Sequence, residues 1–206
     1  MNPIESYFPN LTERQKEQFK LLANACRDWN EKINVISRKD IDNLEINHIL
    51  HSLSIAKFIE FKPGTEIIDL GTGGGFPGLP LAILFPDVKF HLVDRIAKKI
   101  KVAEEMAKAC GLENVTFQQG DFGECKKKAD FIVSRAVMPQ SELVKIGRKN
   151  IKKENSNALP NGIISLKGGD LQEEIKKVGS PTESVDVTNY FDIPFFNTKK
   201  ILYTQI

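Results

Sequence analysis

The segment Glu66-Ile-Ile-Asp-Leu-Gly-Thr-Gly-Gly-Gly-Phe-Pro-Gly78 limits what this chain can fold into more than any other. The apolar pair Ile67–Ile68 reads as a short strand that runs into an acid, Asp69. Glycines follow at Gly71, Gly73, Gly74 and Gly75, and the apolar run Leu79 to Phe85 reads as a helix with Pro77 near its first turn. Strand, glycine turn and helix in direct succession open a nucleotide-binding α/β sheet, because glycine permits the tight turn and lets backbone N–H groups approach a ligand. Spacing narrows the ligand. A dinucleotide fingerprint wants glycine at its first, third and sixth places, which here are Gly71, Gly73 and Phe76. A phosphate-binding P-loop would continue into Gly-Lys-Ser/Thr, and this segment does not.

About twenty residues beyond the glycines, Lys89-Phe-His-Leu-Val-Asp94 reads as a second strand ending in an acid, placed to accept hydrogen bonds from both hydroxyls of a ribose. The pattern acidic-x-Gly-x-Gly-x-Gly from Asp69 is similar to motif I of the class I S-adenosylmethionine (SAM) methyltransferases. That resemblance implies SAM as methyl donor, a ligand with a cationic sulfonium and an amino-acid end but no pyrophosphate. A carboxylate at the end of the first strand suits such a ligand better than it suits a pyrophosphate.

A chain of 206 residues holds one domain, or one domain with a small extension, and is long enough to bury a full core. The formal net charge of +2 does not by itself point to nucleic acid, so the distribution of charge matters more. Lysines gather at Lys98, Lys99 and Lys101, at Lys126 to Lys128, and from Lys145 to Lys153; each group alone also reads as a solvated face. Cys26, Cys110 and Cys125 are scattered and form no Cys-x-x-Cys, which fits reduced thiols and a cytoplasmic setting. Their spacing with His48, His51 and His91 offers no metal site. No signal peptide and no membrane span is expected.

Before the glycine motif, residues 1 to 10 read as a loose arm. Thr12 and Gln15 form a capping box, and Phe19, Leu22, Cys26, Trp29 and Ile33 recur at helical spacing. Asp40 is placed to cap a second helix reaching about Ile59. These helices suggest an N-terminal helical extension over residues 1–60, followed by a methyltransferase domain over 61–206. Downstream, the expected elements are a helix from Ile96 to Cys110 with Gly111 as its C-cap, a strand at Val115–Gln119, a strand at Asp130–Ser134, a helix from Pro139, a strand at Ile163–Leu166 and a short helix from Asp170 to Val178. Strands near Val185–Val187 and Lys200–Thr204 would close the sheet as an antiparallel hairpin. The fold class is therefore α/β: a Rossmann-like class I SAM-dependent methyltransferase with a seven-stranded sheet.

Ligands of open α/β sheets sit at the carboxyl ends of the strands. For SAM, that places Gly71, Gly73 and Phe76 on the methionine and sulfonium side, Asp94 on the ribose, and Phe122 and Gly123 at the adenine. Phe122 offers an apolar face there, and backbone N–H groups can read the ring edge; a buried loop anchor is its alternative role. Asp121 either hydrogen-bonds the adenine amino group or caps a turn. Strand four carries information about the methyl acceptor. Amino-group methylases of DNA and RNA have Asp/Asn-Pro-Pro-Tyr/Phe at this point, whereas this chain has Val133-Ser-Arg-Ala-Val137. The cytosine-C5 enzymes use a catalytic cysteine, often after proline, and none of the cysteines here follows one. An acceptor with a free lone pair, such as guanine N7, needs no general base; catalysis reduces to alignment with the methyl–sulfur bond. Arg135 is the candidate for positioning that acceptor, and a structural salt bridge is its alternative role.

The strings Gly71-Thr-Gly-Gly-Gly-Phe-Pro-Gly-Leu-Pro80, Ser134-Arg-Ala136 and Leu166-Lys-Gly168 together resemble the bacterial 16S ribosomal RNA (guanine-N7) methyltransferase family, also called glucose-inhibited division protein B. Trp29-Asn-Glu-Lys-Ile-Asn34 and His48-Ile-Leu-His-Ser-Leu53 look like that family's N-terminal helices, although His51 stands where many members carry an acid. The resemblance runs from about Leu11 to Tyr203. It implies SAM contacts at Gly71, Phe76, Phe122, Gly123 and Arg135, and methylation of guanine N7 in 16S rRNA, as naked rRNA or in the small ribosomal subunit. Separately from the resemblance, Lys98, Lys99, Lys101 and Lys167 are candidate phosphate contacts, and no metal is expected. A small-molecule methyltransferase, a nicotinamide-linked oxidoreductase and a non-catalytic ribosome-assembly factor are the competing readings.

Overall fold

The structure, a computed structural model, describes residues 2–37 and 40–206. The N-terminal arm is not loose. Pro3–Tyr7 form a short helix, α1, capped by Asn2, whose side chain accepts from the Ile4 N–H at 3.0 Å. Ile4 is buried and Tyr7 meets the edge of Phe191 at 4.9 Å between centroids, so apolar contact holds the segment down. The capping box forms as the sequence predicts: α2 spans Glu13–Lys32, and the Gln15 N–H donates to Thr12 Oγ1 at 3.2 Å while Gln15 Oε1 accepts from the Thr12 N–H at 3.0 Å. Gln15 Nε2 reaches further, to the carbonyls of Ile83 and Leu84 at 3.1 Å each, and so also caps the end of a helix of the sheet domain.

The second helix differs from expectation. Asp40 does not cap it; its carboxylate accepts from Ser37 Oγ at 2.6 Å and Asn47 Nδ2 at 3.2 Å instead. The segment runs as a 3-10 turn at Ile41–Asn43, a π-helical stretch at Glu45–Leu50 and an α-helix, α3, at His51–Phe58. π-helical turns are rare and collect at functional sites. His48 meets the edge of Phe76 at 5.9 Å, and His51 packs against Phe195 and Phe196. Both histidines are pushed down to about 3, chiefly because burial disfavours the charged ring and secondly because Arg135 is near.

The sheet follows the expected chemistry of its segments closely. Its strands are β1 (Glu66–Leu70), β2 (Lys89–Asp94), β3 (Val115–Gln119), β4 (Phe131–Arg135), β5 (Gly162–Gly168), β6 (Thr182–Asp186) and β7 (Lys199–Gln205). They lie in the order β3-β2-β1-β4-β5-β7-β6, with β7 antiparallel to both of its neighbours. The crossovers carry α4 (Gly78–Leu84), α5 (Ala97–Ala109), α6 (Gln140–Gly147) and α7 (Gln172–Lys176). Gly111, just past α5, has φ +61°, the left-handed C-cap geometry glycine adopts freely. The last two strands are not joined by a tight turn. Residues 187–198 loop between them through two 3-10 turns, and buried Phe191 and Phe196 anchor that loop against the N-terminal helices.

Alternate residues of each strand serve opposite faces. Ile67, Phe90, Leu92, Phe131 and Val133 join α2, α3, α4 and α5 in one large core. Ile68, Leu70, Val93, Ile132 and Ile163 pack with Leu143 and Val144 of α6 on the other face. The helices of residues 1–60 thus close over the first face of the sheet. Among the described residues, no helix is long and apolar enough to cross a membrane.

The buried His51 and the half-buried His48 generate a stability prediction. Their folded pKa values lie below the ordinary 6.5, so the stability they carry is present above pH 6.5 and is lost as pH falls toward 3. Asp69 acts in the opposite sense. Burial raises it from 3.8 to about 7, so its contribution is greatest below pH 3.8 and is lost as pH rises through 7. Two histidines against one carboxyl make the unfolding midpoint drop between pH 6.5 and 4. The double variant His48→Gln/His51→Gln should show a visibly shallower drop in thermal scans across that range; equal slopes in the two proteins would sink the assignment.

Candidate active site

The glycine turn is tied down from three sides, and the sequence around it explains each tie. The Gly71 and Thr72 N–H groups donate to the Val93 carbonyl at 2.9 and 3.1 Å, and the Gly73 N–H donates to Asp94 Oδ2 at 2.8 Å. Asp69 Oδ2 accepts from Thr72 Oγ1 at 2.6 Å and from the Gly78 N–H at 2.7 Å. Gly78 must be glycine for that approach, since a Cβ there would lie 2.8 Å from the carboxylate. Asp69 therefore serves the turn from below and does not face the cleft, contrary to the expectation that it would meet a ligand's cation. Its pKa rises to about 7 mainly through burial, against the lowering effect of its hydrogen bonds and of Arg135.

A cleft of about 460 Å³ opens above this turn, within the range of small-molecule sites. It stands over the ends of β1 and β4, the point where strand order reverses and where open sheets bind ligands. Ser134 Oγ donates to the Leu70 carbonyl at 2.8 Å and pins those two ends together. Gly71, Gly73, Phe76, Asp94, Phe122 and Arg135 all line the cleft, so most of the expected site residues are brought together. Asp94 Oδ1 accepts from the Ile96 N–H at 2.9 Å, which aims the carboxylate along the rim with both oxygens anchored. Phe122 presents its buried ring to the cleft.

Gly123 stands apart. Its N–H donates to Asp121 Oδ1 at 2.7 Å, its carbonyl accepts from Lys149 Nζ at 2.6 Å, and it does not line the cleft. Asp121 thus caps its own turn, one of the two roles its position allowed. Lys167 is likewise unlike its expectation as a phosphate contact: it is buried, ion-paired with Glu174 at 2.8 Å and hydrogen-bonded to the Met138 carbonyl. Lys98 and Lys101 are exposed on α5, and Lys99 borders the cleft. Reasoning from the sequence missed Val35, Ile96 and Val137 as cleft residues. Ile96 follows the strand-two acid directly, a signal that was available; Val35 arrives from a loop far upstream and had none.

Arg135 is the unusual group. Its guanidinium lies 5.2 Å from the Phe76 ring centroid, no hydrogen bond or ion pair to it is formed by the described residues, and Nη1 is buried without a partner. Burial lowers its pKa to about 10, which leaves it a cation at neutral pH. Arg135 is half-buried at the cleft wall, and its buried, unpartnered Nη1 calls for an acceptor supplied from the cleft. The structural salt bridge considered for it does not form among the described residues. A ligand with a carboxylate, a ribose and an aromatic ring meets suitable chemistry here: an unsatisfied guanidinium, an anchored carboxylate and an apolar ring face. The donors present fit SAM on those grounds. No group of three or more His, Cys, Asp or Glu with metal-holding geometry occurs among the described residues.

Comparison with known proteins places the chain in a family. The chain is 60% identical over 206 residues to the ribosomal RNA small subunit methyltransferase G of Phocaeicola vulgatus, covering 100% of this chain and 99% of that one. It is 56% identical to the protein of the same name from Bacteroides thetaiotaomicron, covering 100% of both chains. Among solved structures, a SAM-dependent methyltransferase from Aquifex aeolicus superposes with a TM-score of 0.56 at 18% identity, covering 83% of this chain and 100% of that one. Fibrillarin from Aeropyrum pernix, with natively bound S-adenosyl-L-methionine, superposes with a TM-score of 0.55 at 15% identity, covering 75% of this chain and 73% of that one. At such identities these two establish the fold alone, that of the class I methyltransferases. The family model for rRNA small subunit methyltransferase G matches residues 15–200, and the chain belongs to that family.

Proposed function

We propose that this chain transfers a methyl group from S-adenosylmethionine to N7 of one guanine in 16S ribosomal RNA, acting in the cytoplasm on the rRNA or the small subunit that contains it. The observation that carries this reading is the convergence of the motif-I turn, Asp94 and an unsatisfied Arg135 in one cleft, in a chain of the small-subunit rRNA methyltransferase family. Residues 1–60 act as a helical extension that walls the acceptor end, and residues 61–206 form the cofactor-binding domain.

Bound SAM supplies an electrophilic methyl on a sulfonium whose departure leaves a neutral thioether. The chain's own part is positioning. Asp94 accepts the ribose hydroxyls while Gly73 and Ile96 hold its carboxylate still. Phe122 gives the adenine an apolar face. The guanidinium of Arg135, kept charged and kept over Phe76, donates to the cofactor's carboxylate or to a guanine acceptor atom. Guanine N7 attacks with a lone pair in the plane of the base and loses no proton in doing so. No general base is therefore required, in keeping with Asp69 being spent inside the turn and with the half-buried His48, its ring nitrogens covered, lying edge-on to Phe76. Rate then comes from holding donor and acceptor in line.

Two measurements test the reading. Labelled SAM incubated with small subunits from a strain lacking the activity, with naked 16S rRNA and with unrelated RNA should label a single guanine of the small-subunit rRNA, detected by cleavage at N7-methylguanine. Label on no RNA, with SAM binding intact, would move the chain to small-molecule methylation or to an assembly role. The second measurement is calorimetric SAM binding. Asp94→Asn removes the charge from the ribose acceptor and should weaken SAM roughly tenfold to a hundredfold, the effect of about 1.5–3 kcal/mol for a hydrogen bond to a charged group. Gly71→Ala places a Cβ 2.6 Å from Val137 Cγ2 at a residue with φ +71°, and should weaken SAM at least as much. Wild-type affinity in both variants would remove the cleft from the mechanism.

A further inference from the structure

Two exposed large apolar side chains occur among the described residues, Ile96 at 49% and Val137 at 40%, and both border the same cleft. Ile96 adjoins Asp94, on the ribose side. Val137 follows Arg135 at the end of β4, on the acceptor side, and its placement is costly. Ala136 holds φ +50°, a left-handed conformation that an L-residue with a Cβ adopts at an energetic cost, and the Ala136 N–H donates to the Leu166 carbonyl at 3.1 Å. That reversal lays Val137 back over the glycine turn, so close that a Cβ on Gly71 would meet Val137 Cγ2 at 2.6 Å. Strained backbone persists where the surroundings demand it and gathers at ligand clamps.

A second valine reaches the same turn from a different element. Val35 lies in the loop after α2, where Asn30 Oδ1 accepts from the N–H groups of both Val35 and Ile36 at 2.9 Å. A Cβ on Gly74 would meet Val35 Cβ at 2.9 Å. Val137 thus stands on one end of the Gly71–Gly74 turn and Val35 on the other, both within the cleft lining. Neither valine has a polar function there, and a purely structural plug would not leave Val137 in solvent.

We propose that Val35 and Val137 are the two apolar jaws that grip the flat faces of the acceptor guanine after it leaves its RNA stack, the rest of the nucleotide being held by phosphate contacts at the cleft rim. A base whose edge must meet a methyl donor has to be splayed from the helix, and its exposed faces then need apolar cover. The rim has the charge to hold the flanking backbone: Arg95 and Lys99 border the cleft, Lys98 and Lys101 are exposed beside them, and none of the four makes an ion pair among the described residues. The proposal deepens the rRNA reading above and rests on it.

The test separates acceptor from cofactor. Val35→Ala and Val137→Ala, each removing two methyl groups from an apolar contact, should lower kcat/KM for small-subunit rRNA about tenfold while the calorimetric Kd for SAM stays within twofold and the unfolding midpoint is kept. Val137→Thr, of equal size but polar, should fall between wild type and alanine. SAM affinity that weakens in step with kcat/KM would make the valines a cofactor wall and overturn the proposal; so would undiminished kcat/KM in both alanine variants. Wild-type protein in the same series keeps the two ideas apart. Its failure to methylate rRNA would overturn the functional reading and this proposal together, whereas normal wild-type transfer with unaltered variants would overturn this proposal alone.

Discussion

A single buried carboxylate organises the centre of the molecule. Asp69 Oδ2 accepts from Thr72 Oγ1 and from the Gly78 N–H, which bends the chain between β1 and α4 into one turn. Both bonds lie where water does not compete, so each constrains the turn more than it would at the surface. The remaining oxygen, Oδ1, is buried and unpartnered, and this local cost is tolerated because the turn sets the floor of the cleft. Everything else at the site is referenced to that floor: Asp94 is held by Gly73, Val137 rests on Gly71, and Val35 rests on Gly74.

The N-terminal helices matter for a different reason. They cover one face of the sheet and bring Val35 to the rim of the cleft. His48, carried on a π-helical stretch, meets the edge of Phe76, and Phe76 in turn lies beneath the guanidinium of Arg135. Cys26 of α2 belongs to the same surroundings; burial pushes its thiol up to about 12, so it behaves there as an apolar side chain. The result is a guanidinium that forms no hydrogen bond or ion pair among the described residues, beside the Phe76 ring and the neutral His48 and Cys26. Arg135 lines the cleft, where the proposed reaction would bring a carboxylate or a base edge to it. Electrostatic economy of this kind suits a reaction in which no proton needs to move and in which one positively charged centre loses its methyl to a neutral nitrogen.

Local chemistry made much of this legible in the amino-acid sequence. The glycine spacing after Asp69, the acid closing β2, the capping box of Thr12 and Gln15, and Gly111 after α5 are all set by nearest-neighbour sterics and hydrogen bonding, so the strands, the helix ends and the glycine-turn end of the cleft could be read in advance. Gly71, Gly73, Phe76, Asp94, Phe122 and Arg135 do meet in one place, because the carboxyl ends of parallel strands necessarily do. What only the tertiary structure decided is which way polar groups turn and what arrives from far along the chain. Asp69 looked suited to a ligand's charge and is internal; Gly123 was expected at the adenine and is bonded to Asp121 and Lys149; Lys167 was a candidate phosphate contact and is paired with Glu174. Val35 reached the site through a helix, a loop and the side chain of Asn30. Periodicity reports the face a residue occupies, but the partner it meets there depends on packing between segments dozens of residues apart, and that is settled only when the core closes.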